Sequence, residues 1–283
     1  MTPLERLRAR RARIGAPLCL GIDPHPDQLP SGFNPDVAGI ERFARGVIEA
    51  AVEHCVAVKI NVAFFEAFGA DGARALARVR GDVPRDLICI LDAKRGDIGS
   101  TAERYAAALF GELDADAVTL SPYLGEDALA PFLEFEDRLL YVLVRTSNPS
   151  APRIQDLDVG GRPLYRIVGG WLSDTWTDGR VGLVVGATAT SELEELRSDL
   201  PEPAFLVPGV GAQGGDLVAA ARACDGRRAP GLVTASRAIA GASRADDWAD
   251  AARVAAEDLR RRMAEAVLPS GATADSRHIL GGS

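Results

Sequence analysis

The sequence predicts an α/β fold of the (β/α)8 class, the TIM barrel, as a single domain over residues 1–283. Eight short apolar segments recur at fairly even spacing, with helical segments between them. They are continuously apolar rather than alternating, which is typical of parallel strands covered on both faces. Eight strand–helix units fit the roughly 250 residues that such a barrel needs. A doubly wound open sheet has the same periodicity and is the structural alternative.

The first element is predicted to be a helix over the basic N-terminal segment, with its arginines on a solvated face. No apolar core follows these arginines, so the segment is not a secretory signal. The eight predicted strands are APLCLGID (16–23), CVAVKIN (55–61), DLICILDA (86–93), ADAVTLS (115–121), RLLYVLVRT (138–146), VGLVVGA (181–187), AFLVPGV (204–210) and GLVTAS (231–236). Amphipathic helices between them include GIERFARGVIEAAVEH (39–54) and SELEELRSDL (191–200). From about Ala266 the periodicity ends, so we expect a loose tail.

The overall charge of the chain limits the kinds of molecule that it is expected to bind. With 32 basic and 40 acidic side chains the net charge is −8, which argues against nucleic acid as a partner because such binding needs a basic surface. A small anionic substrate is still compatible, since a site can be locally positive on an acidic protein. No apolar segment approaches the ~20 residues of a membrane span, so no membrane partner is expected.

The cysteines and histidines indicate neither a metal site nor a disulfide framework. The four cysteines have no CxxC spacing and the three histidines are scattered along the chain. We interpret the cysteines as reduced packing residues of a cytoplasmic protein, with a metal or disulfide role as the alternative. No metal is therefore expected.

Polar and charged side chains stand where the predicted strands end. In a (β/α)8 barrel the chemistry lies at the carboxyl ends of the strands. The candidates at or just after those ends are Asp23, Lys59, Asn61, Asp92, Lys94, Thr146, Ser147, Gly211, Gln213, Ser236 and Arg237. The barrel prediction and the site prediction therefore support each other.

The segment LDAKRGDIGSTAERYA (91–106) places four charges directly after an apolar strand. Asp92 and Lys94 are two positions apart and therefore point to the same side of an extended chain. Asp97 follows a turn that Gly96 permits, and Lys59 ends the neighbouring strand about 5 Å away. The expected product is an alternating array of ammonium groups and carboxylates.

Such an array suits a reaction in which negative charge develops on carbon and is then protonated. A fixed ammonium stabilises the carbanion and later acts as its acid. A substrate carboxylate pressed towards Asp92 is repelled, whereas carbon dioxide is not. The alternative is a structural ion-pair network at a strand end, since Asp-x-Lys-x-x-Asp is short enough to arise by chance.

A glycine-rich segment, PGVGAQGGD (208–216), follows the seventh strand and contains a GxGxxG pattern. A dinucleotide site is a weak interpretation, because no βαβ unit with an acidic partner follows it. In a barrel, the loops after strands seven and eight commonly bind phosphate, and Arg237 could supply a bidentate charge partner. The alternative is a pair of glycine turns beside a surface arginine.

The segment RTSNPSAPRIQ (145–155) carries hydroxyls and amides without an obvious base. These groups could be hydrogen-bond partners for a planar polar ligand. Equally, residues 147–149 could simply cap and turn the chain. No Ser–His–Asp arrangement can be assembled from the sequence.

The chain resembles the orotidine 5′-phosphate decarboxylase family, in particular its longer bacterial subgroup (type 2). Five separated segments in the same order carry the resemblance: GIDP, VKIN, DAKRGD, RTSNP and PGVGAQGG with SRAI downstream. The resemblance implies loss of carbon dioxide, without a cofactor, from orotidine 5′-monophosphate to give uridine 5′-monophosphate (UMP), the last step of de novo UMP synthesis. It extends over nearly the whole predicted barrel.

The resemblance also implies roles for individual residues. Lys94 would protonate C6 of the pyrimidine and Asp92 would lie against the leaving carboxylate, with Lys59 and Asp97 completing the array. The implied ligand contacts are Asp23 and Lys59 with the ribose hydroxyls, Ser147 with the pyrimidine edge, and Gln213 and Arg237 with the phosphate. Asp97, Ile98 and Thr101 would reach the partner's site in a homodimer with shared active sites. Ser121 and Ser150 depart from the subgroup's asparagine and glycine, which puts loop geometry in doubt rather than the reaction.

Two other functions fit parts of the pattern. A related sugar-phosphate decarboxylase or aldolase shares Asp-x-Lys-x-x-Asp but uses magnesium, held by a carboxylate where this chain has Lys59, and a cation there disfavours a metal. A catalytically silent phosphate- or nucleotide-binding barrel is the second, since fold alone does not decide function. The full charged set argues against it, because binding alone would not require it.

Overall fold

Eight parallel strands close into a barrel in the computed structural model, which describes residues 1–188, 190–211 and 214–268. Around the barrel the strands follow the order β1-β10-β9-β8-β5-β4-β3-β2. The barrel strands are β1 Leu18–Ile22, β2 Ala57–Asn61, β3 Ile88–Arg95, β4 Ala117–Leu120, β5 Leu139–Arg145, β8 Val181–Val185, β9 Phe205–Pro208 and β10 Leu232–Ala235. The predicted (β/α)8 barrel is therefore confirmed, and the open-sheet alternative is excluded by the pairing of β1 with both β2 and β10.

All eight predicted strands form, each shorter at one or both ends than its predicted segment, and β3 also extends beyond its segment to Arg95. The structure adds one feature that the sequence did not suggest. Strands β6 Asp158–Val159 and β7 Arg162–Pro163 pair in an antiparallel hairpin after β5. Each has only two residues, too few for a periodic apolar signal.

Helices alternate with the strands. They are α1 Pro3–Ile14, α2 Val37–Ala51, α3 Ala63–Glu66, α4 Gly69–Gly81, α5 Gly99–Ala106, α6 Ala130–Leu133, α7 Pro152–Gln155, α8 Leu164–Thr175, α9 Thr190–Asp199, α10 Leu217–Ala223, α11 Arg237–Ala240 and α12 Trp248–Val267. A π-helical segment, Ala107–Glu112, continues α5. The predicted helices at 39–54 and 191–200 correspond to α2 and α9. No helix in the described ranges is both long and apolar enough to cross a membrane.

The core has two layers because successive strand residues point to opposite sides of the barrel wall. Side chains inside the barrel include Ile88, Ile90 and Tyr141, which are buried. Gly182 leaves room for the Tyr141 ring, since an added Cβ would lie 2.8 Å from it. The second layer packs the outer faces of the strands against the helices. The filled interior leaves only the strand ends open to a ligand.

Helix α1 covers the amino-terminal end of the barrel. Thr2 caps it through a capping box with Glu5, and Leu7 is fully buried against the barrel interior. Arg10 is also buried, and its guanidinium donates to the carbonyls of Cys55 (2.9 Å) and Val52 (2.7 Å). The expectation of a solvated arginine face is therefore wrong for Arg10, because the carbonyls that precede β2 need a donor at this end.

The chain's C-terminal end is described only in part. Helix α12 includes Ala266 and ends at Val267, so the tail that we expect to be loose lies outside the described residues from 269 onward. Ala252, Ala256 and Met263 are the buried side of α12. The helix thus completes the outer layer of the barrel.

Candidate active site

A cavity of about 770 Å³ opens at the carboxyl ends of the strands. It is lined by Asp23, His25, Lys59, Asn61, Phe64, Asp92, Lys94, Thr119, Leu143, Thr146, Ser147, Asn148, Gln155, Val184, Leu206, Pro208, Gly209, Val210, Thr234, Ser236 and Arg237. Charged side chains of β2 and β3 form one part of its lining, and apolar side chains from β5, β8 and β9 form another. The cavity can therefore hold a ligand that has both a polar and an apolar side.

The centre of the cavity is a carboxylate held between two ammonium groups. Asp92 accepts from Lys59 Nζ at 2.6 Å through one oxygen and from Lys94 Nζ at 2.6 Å through the other. The Thr119 hydroxyl donates a third hydrogen bond, at 2.8 Å. Asp92 is thus fully engaged and cannot rotate without losing these partners.

The two lysines differ in exposure, and this difference separates their roles. The Lys59 side chain is 6% exposed, whereas that of Lys94 is 51% exposed. Lys59 is therefore a buried partner of Asp92, and Lys94 presents its ammonium to the open cavity. Of the two, Lys94 is better placed to exchange a proton with a ligand.

Electrostatics keeps this array charged. Burial alone would raise the pKa of Asp92, but the ammonium groups of Lys59 and Lys94 outweigh it and hold that pKa far below its usual range. Burial alone would lower the pKa of Lys59, yet the charges of Asp92 and Asp23 raise it above its ordinary value. Lys59 and Asp92 are therefore both ionised across the neutral range.

The backbone at Lys94 is strained. Its φ is 45°, a left-handed conformation that is uncommon outside glycine, and the register between β3 and β4 shifts between Leu91 and Arg95. The Lys94 N–H donates to the Thr119 hydroxyl at 2.9 Å. We expected an extended chain to bring Lys94 to the side of Asp92, but a bulge does so, with Thr119 holding both residues.

Asp97 stands apart from the lysines within one chain. Its carboxylate accepts from the backbone N–H of Ile98 at 2.9 Å, and Lys94 has no ion pair with it in the described parts of the chain. Ile98 is 50% exposed, Thr101 is also exposed, and neither they nor Asp97 line the cavity. The structure of a single chain therefore brings together three of the four charges in the predicted array.

A model of the orotidine 5′-phosphate decarboxylase / HUMPS family matches residues 16–253, which include every strand of the barrel. The chain belongs to this family. The match also covers all of the cavity-lining residues.

Relatives and solved structures agree with the family match. The orotidine 5′-phosphate decarboxylase of Roseiflexus castenholzii is 48% identical over 263 residues, which are 92% of this chain and 96% of that protein. The enzyme of the same name from Thermomicrobium roseum is 46% identical, over 90% of this chain and 92% of its own. The structure of Leishmania donovani OMP decarboxylase has a TM-score of 0.81 and 37% identity, covering 94% of this chain and 98% of that one.

Nine residues predicted from the sequence line the cavity of this decarboxylase-family barrel. They are Asp23, Lys59, Asn61, Asp92, Lys94, Thr146, Ser147, Ser236 and Arg237. Gly211 does not line it, and Gln213 lies outside the described residues. Glycine turns, which were the alternative interpretation of this segment, are present, since Gly209, Gly211 and Gly214 all have positive φ and the Gly214 N–H donates to the carbonyl of Gly211 at 2.8 Å.

Sequence reasoning missed several lining residues in this family member. Thr119 could have been found, because it is the only hydroxyl on the inward side of β4. His25 follows the GIDP segment directly, and its ring meets that of Phe64 edge-on with centroids 4.4 Å apart. Gln155 had no such signal, since its place in the cavity depends on the path of a loop.

The two departures from the bacterial subgroup lie in loops, outside the cavity lining. The Ser121 N–H donates to the carbonyl of Arg95 at 2.7 Å, and its own carbonyl lies 3.1 Å from where a Cβ on Gly96 would be. The Ser150 hydroxyl accepts from Asn148 at 3.1 Å. The absence of a side chain at Gly96 therefore lets the backbone of this turn approach Ser121 closely. In the same turn, Gly99 adopts the left-handed φ of 53°.

The described ranges contain no group of three or more His, Cys, Asp or Glu side chains that could hold a metal ion. At the second strand, where a magnesium-dependent relative would need a carboxylate, the structure has the buried ammonium of Lys59. The residues present therefore suit an anionic ligand better than a divalent cation.

Proposed function

We propose that this chain decarboxylates orotidine 5′-monophosphate to UMP and carbon dioxide without a cofactor, and that Lys94 protonates C6. The observation that carries the proposal is the exposed Lys94 ammonium 2.6 Å from the buried carboxylate of Asp92. Family membership and relatives named orotidine 5′-phosphate decarboxylase at 48% and 46% identity support the reaction. Those relatives favour it over the sugar-phosphate alternative.

The proposed step breaks the bond between C6 and the carboxylate carbon. The electron pair of that bond stays on C6, carbon dioxide leaves, and C6 takes a proton from the Lys94 ammonium, which becomes neutral. Asp92 disfavours the substrate carboxylate by charge repulsion but not neutral carbon dioxide. A lysine held by Asp92 stabilises the carbanion as it forms, because its charge is already oriented.

One ammonium cannot account for the whole acceleration. Enzymes lower barriers by ~8–23 kcal/mol, and a carbanion without an electron sink needs the upper part of that range. In the proposal, binding energy from the phosphate supplies the rest by positioning the ring. Arg237 at the start of α11 and the turns at Gly209 and Gly211 support a phosphate position on the β9–β10 side of the cavity.

Turnover of orotidine 5′-monophosphate, followed by the change in pyrimidine absorbance, tests the proposal. Lys94→Ala should nearly abolish turnover while UMP still binds measurably, since the phosphate and ribose contacts persist. Arg261→Ala, on the exposed face of α12 and away from the cavity lining, is the control and should keep wild-type kinetics. Appreciable turnover by Lys94→Ala, with contaminating enzyme excluded, would remove Lys94 as the proton donor.

A chelator separates the proposal from its magnesium-dependent rival. Activity on orotidine 5′-monophosphate should persist after treatment with EDTA, because Lys59 stands where that rival needs a metal ligand. Loss of activity on chelation, restored by magnesium, would favour the rival.

We further propose a homodimer with shared active sites. Four large apolar side chains near the cavity are exposed: Ile98, Tyr105, Tyr123 and Leu124. They follow β3 and β4, which are neighbours in the barrel, and we propose that together they form an apolar patch of the kind that marks a protein interface. Asp97 lies beside Ile98, and a second copy docked here could bring that carboxylate to its partner's Lys94.

A cytoplasmic location is also proposed. Its support is the state of the four cysteines, Cys19, Cys55, Cys89 and Cys224, which are all free and buried. Burial raises the pKa of Cys89 to about 12, so this thiol stays protonated and unreactive at neutral pH. Measurement of the subcellular fraction that carries the activity tests this proposal.

A further inference from the structure

One glutamine joins the two ends of the loop that follows β5. The Oε1 of Gln155 accepts from the backbone N–H of Thr146 at 2.9 Å, and its Nε2 donates to the Thr146 hydroxyl at 2.8 Å. The same Oε1 accepts from the guanidinium of Arg145 at 3.2 Å. Because both ends of the amide are engaged, the orientation of Gln155 is set.

The guanidinium of Arg145, which donates to Gln155, is itself held in place by neighbouring side chains. Its side chain is only 7% exposed, and its guanidinium lies near Asp156 (3.4 Å) and near Glu192 of α9 (3.5 Å). It also lies over the ring of Tyr165, 5.6 Å from the centroid. These three contacts hold the guanidinium that donates to Gln155 Oε1.

The loop has little packing behind it. A cavity of about 380 Å³ lies between the loop and the start of α9, lined by Arg145, Thr146, Ser147, Asn148, Pro149, Pro152, Thr188, Thr190, Ser191 and Glu192. The helix α7 turns Gln155 towards the active-site cavity and leaves Ile154 54% exposed. Apart from Ala151, which is buried, residues 146–155 are exposed or only partly buried, so the position of the loop depends largely on the hydrogen bonds of Gln155.

On its other side, the loop is held by a close contact with Gly186. Gly186, just after β8, lies against Ser147, and a Cβ added there would be 3.1 Å from the Ser147 nitrogen. Thr146 and Ser147 are thus confined between Gly186 and the amide of Gln155. The Thr146 hydroxyl in turn donates to the side-chain oxygen of Asn148 at 2.6 Å, so the hydrogen bonds continue along the loop to Asn148.

From these contacts we infer that Gln155 is a positioning residue for substrate recognition, setting Thr146 and Ser147 against the pyrimidine edge. The inference rests on the proposed function for the identity of the ligand. Gln155 acts through Thr146, because its Oε1 and one N–H of its Nε2 are bonded to this residue. The base of the nucleotide, and not its phosphate, should therefore depend on this residue.

Substitutions at this position separate positioning from general stability. Gln155→Leu has nearly the same size but no hydrogen bonds, and Gln155→Glu keeps an acceptor for the Thr146 N–H and Arg145. The control is Arg197→Met, which removes three hydrogen bonds to the carbonyls of Ala223, Leu200 and Pro203, away from the cavity.

Gln155→Leu should lower kcat/KM for orotidine 5′-monophosphate by about 10- to 100-fold, because small misplacements of positioning groups cost up to about that much. It should weaken binding of UMP but not of ribose 5-phosphate, which has no base, and Gln155→Glu should recover part of the loss. Arg197→Met should lower the Tm while leaving both affinities and the kinetics unchanged.

Amide hydrogen exchange of residues 146–150 supplies a readout that does not depend on the reaction. Exchange there should become faster in Gln155→Leu and stay as in the wild type in Arg197→Met. A Gln155→Leu variant with wild-type exchange and unchanged UMP affinity overturns the inference. Absence of orotidine 5′-monophosphate turnover by the unaltered protein refutes the proposed function instead, and the exchange of the loop still decides whether Gln155 holds it.

Discussion

At the scale of single residues, the charged centre is stable because each charge has a partner. Lys59 and Asp92 are both buried and are 2.6 Å apart. Removing one partner of such a pair is costly, because the other is left buried and uncompensated. The same residues that prepare the chemistry therefore also contribute to stability of the fold.

The pKa shifts predict how this pair depends on pH. The pKa of Asp92 is depressed, so its contribution is present above the ordinary aspartate value and is lost as pH falls through its folded value. The pKa of Lys59 is raised, so its contribution is complete below the ordinary lysine value and is lost as pH rises through its folded value. Between these limits the pair stabilises the fold independently of pH.

Asp92→Asn should lower the free energy of unfolding by about 3–5 kcal/mol, because Lys59 loses its buried counter-charge. With only Asp23 left as a counter-charge, Lys59 should have a lower pKa than in the wild type, so the difference in stability between variant and wild type should shrink as pH rises. Urea unfolding at several pH values measures both effects. The matched control, Asp71→Asn, removes an exposed partner of Arg74 and should change little.

Arg237 offers a second prediction at this scale. Arg237→Ala should reduce kcat/KM for orotidine 5′-monophosphate by about 10- to 100-fold, the equivalent of one charge-assisted hydrogen bond. Activity on orotidine, which lacks the phosphate, should fall much less. The exposed Arg244 is a control, since it does not line the cavity. Equal losses on both substrates would contradict a phosphate contact.

At the scale of elements, strands supply the site and helix α1 supports it from the opposite end. Arg10 of α1 donates to two buried carbonyls and pairs with Asp86 at 2.6 Å. This end of the barrel carries no part of the candidate site. Changes here should affect stability without affecting chemistry, a separation typical of the fold.

Arg10→Met should lower the free energy of unfolding by about 3 kcal/mol, because two buried carbonyls lose their donor. Arg13→Met is a close control, since Arg13 also pairs with Asp86 but its side chain is 60% exposed. Chemical denaturation measures the difference between them. Below the unfolding transition, both variants should keep the wild-type kcat, and a lower kcat in Arg10→Met would show that α1 affects the site.

At the scale of the whole molecule, one chain contains an incomplete version of the predicted charged array. Asp97 does not meet Lys94 within the described chain, and the apolar patch around Ile98 is exposed beside it. The proposed homodimer accounts for both features. A second copy would cover the patch and add the missing carboxylate.

Mixing two inactive variants tests this proposal. Lys94→Ala and Asp97→Ala should each be nearly inactive alone, yet a hybrid dimer has one site with both residues intact. Refolding the variants together should restore about a quarter of wild-type activity, because about half of the dimers are hybrids with one good site each. Lys94→Ala mixed with Asp92→Asn is the control and should give no recovery, since both changes affect the same chain's site. Recovery no greater than this control would contradict shared sites.

Much of this protein follows from its sequence alone. Continuously apolar segments at even spacing predicted eight buried parallel strands, because burial on both faces is a local property of each strand, and the pairing of β1 with β10 then decided for the barrel over an open sheet. The closed topology then brings the strand ends together, which is why Lys59, Asp92 and Lys94 could be placed in one site from positions far apart in the chain.

The tertiary structure decided what depends on contacts between distant segments. It showed that Lys94 reaches Asp92 through a bulge, that Arg10 is buried under the barrel, and that Gln155 holds the loop at Thr146. None of these contacts produces a periodic pattern in the amino-acid sequence, because each depends on the path of a loop or on the carbonyls of another element. Local pattern therefore determined where the chemistry lies, and non-local hydrogen bonding decided how its residues are held.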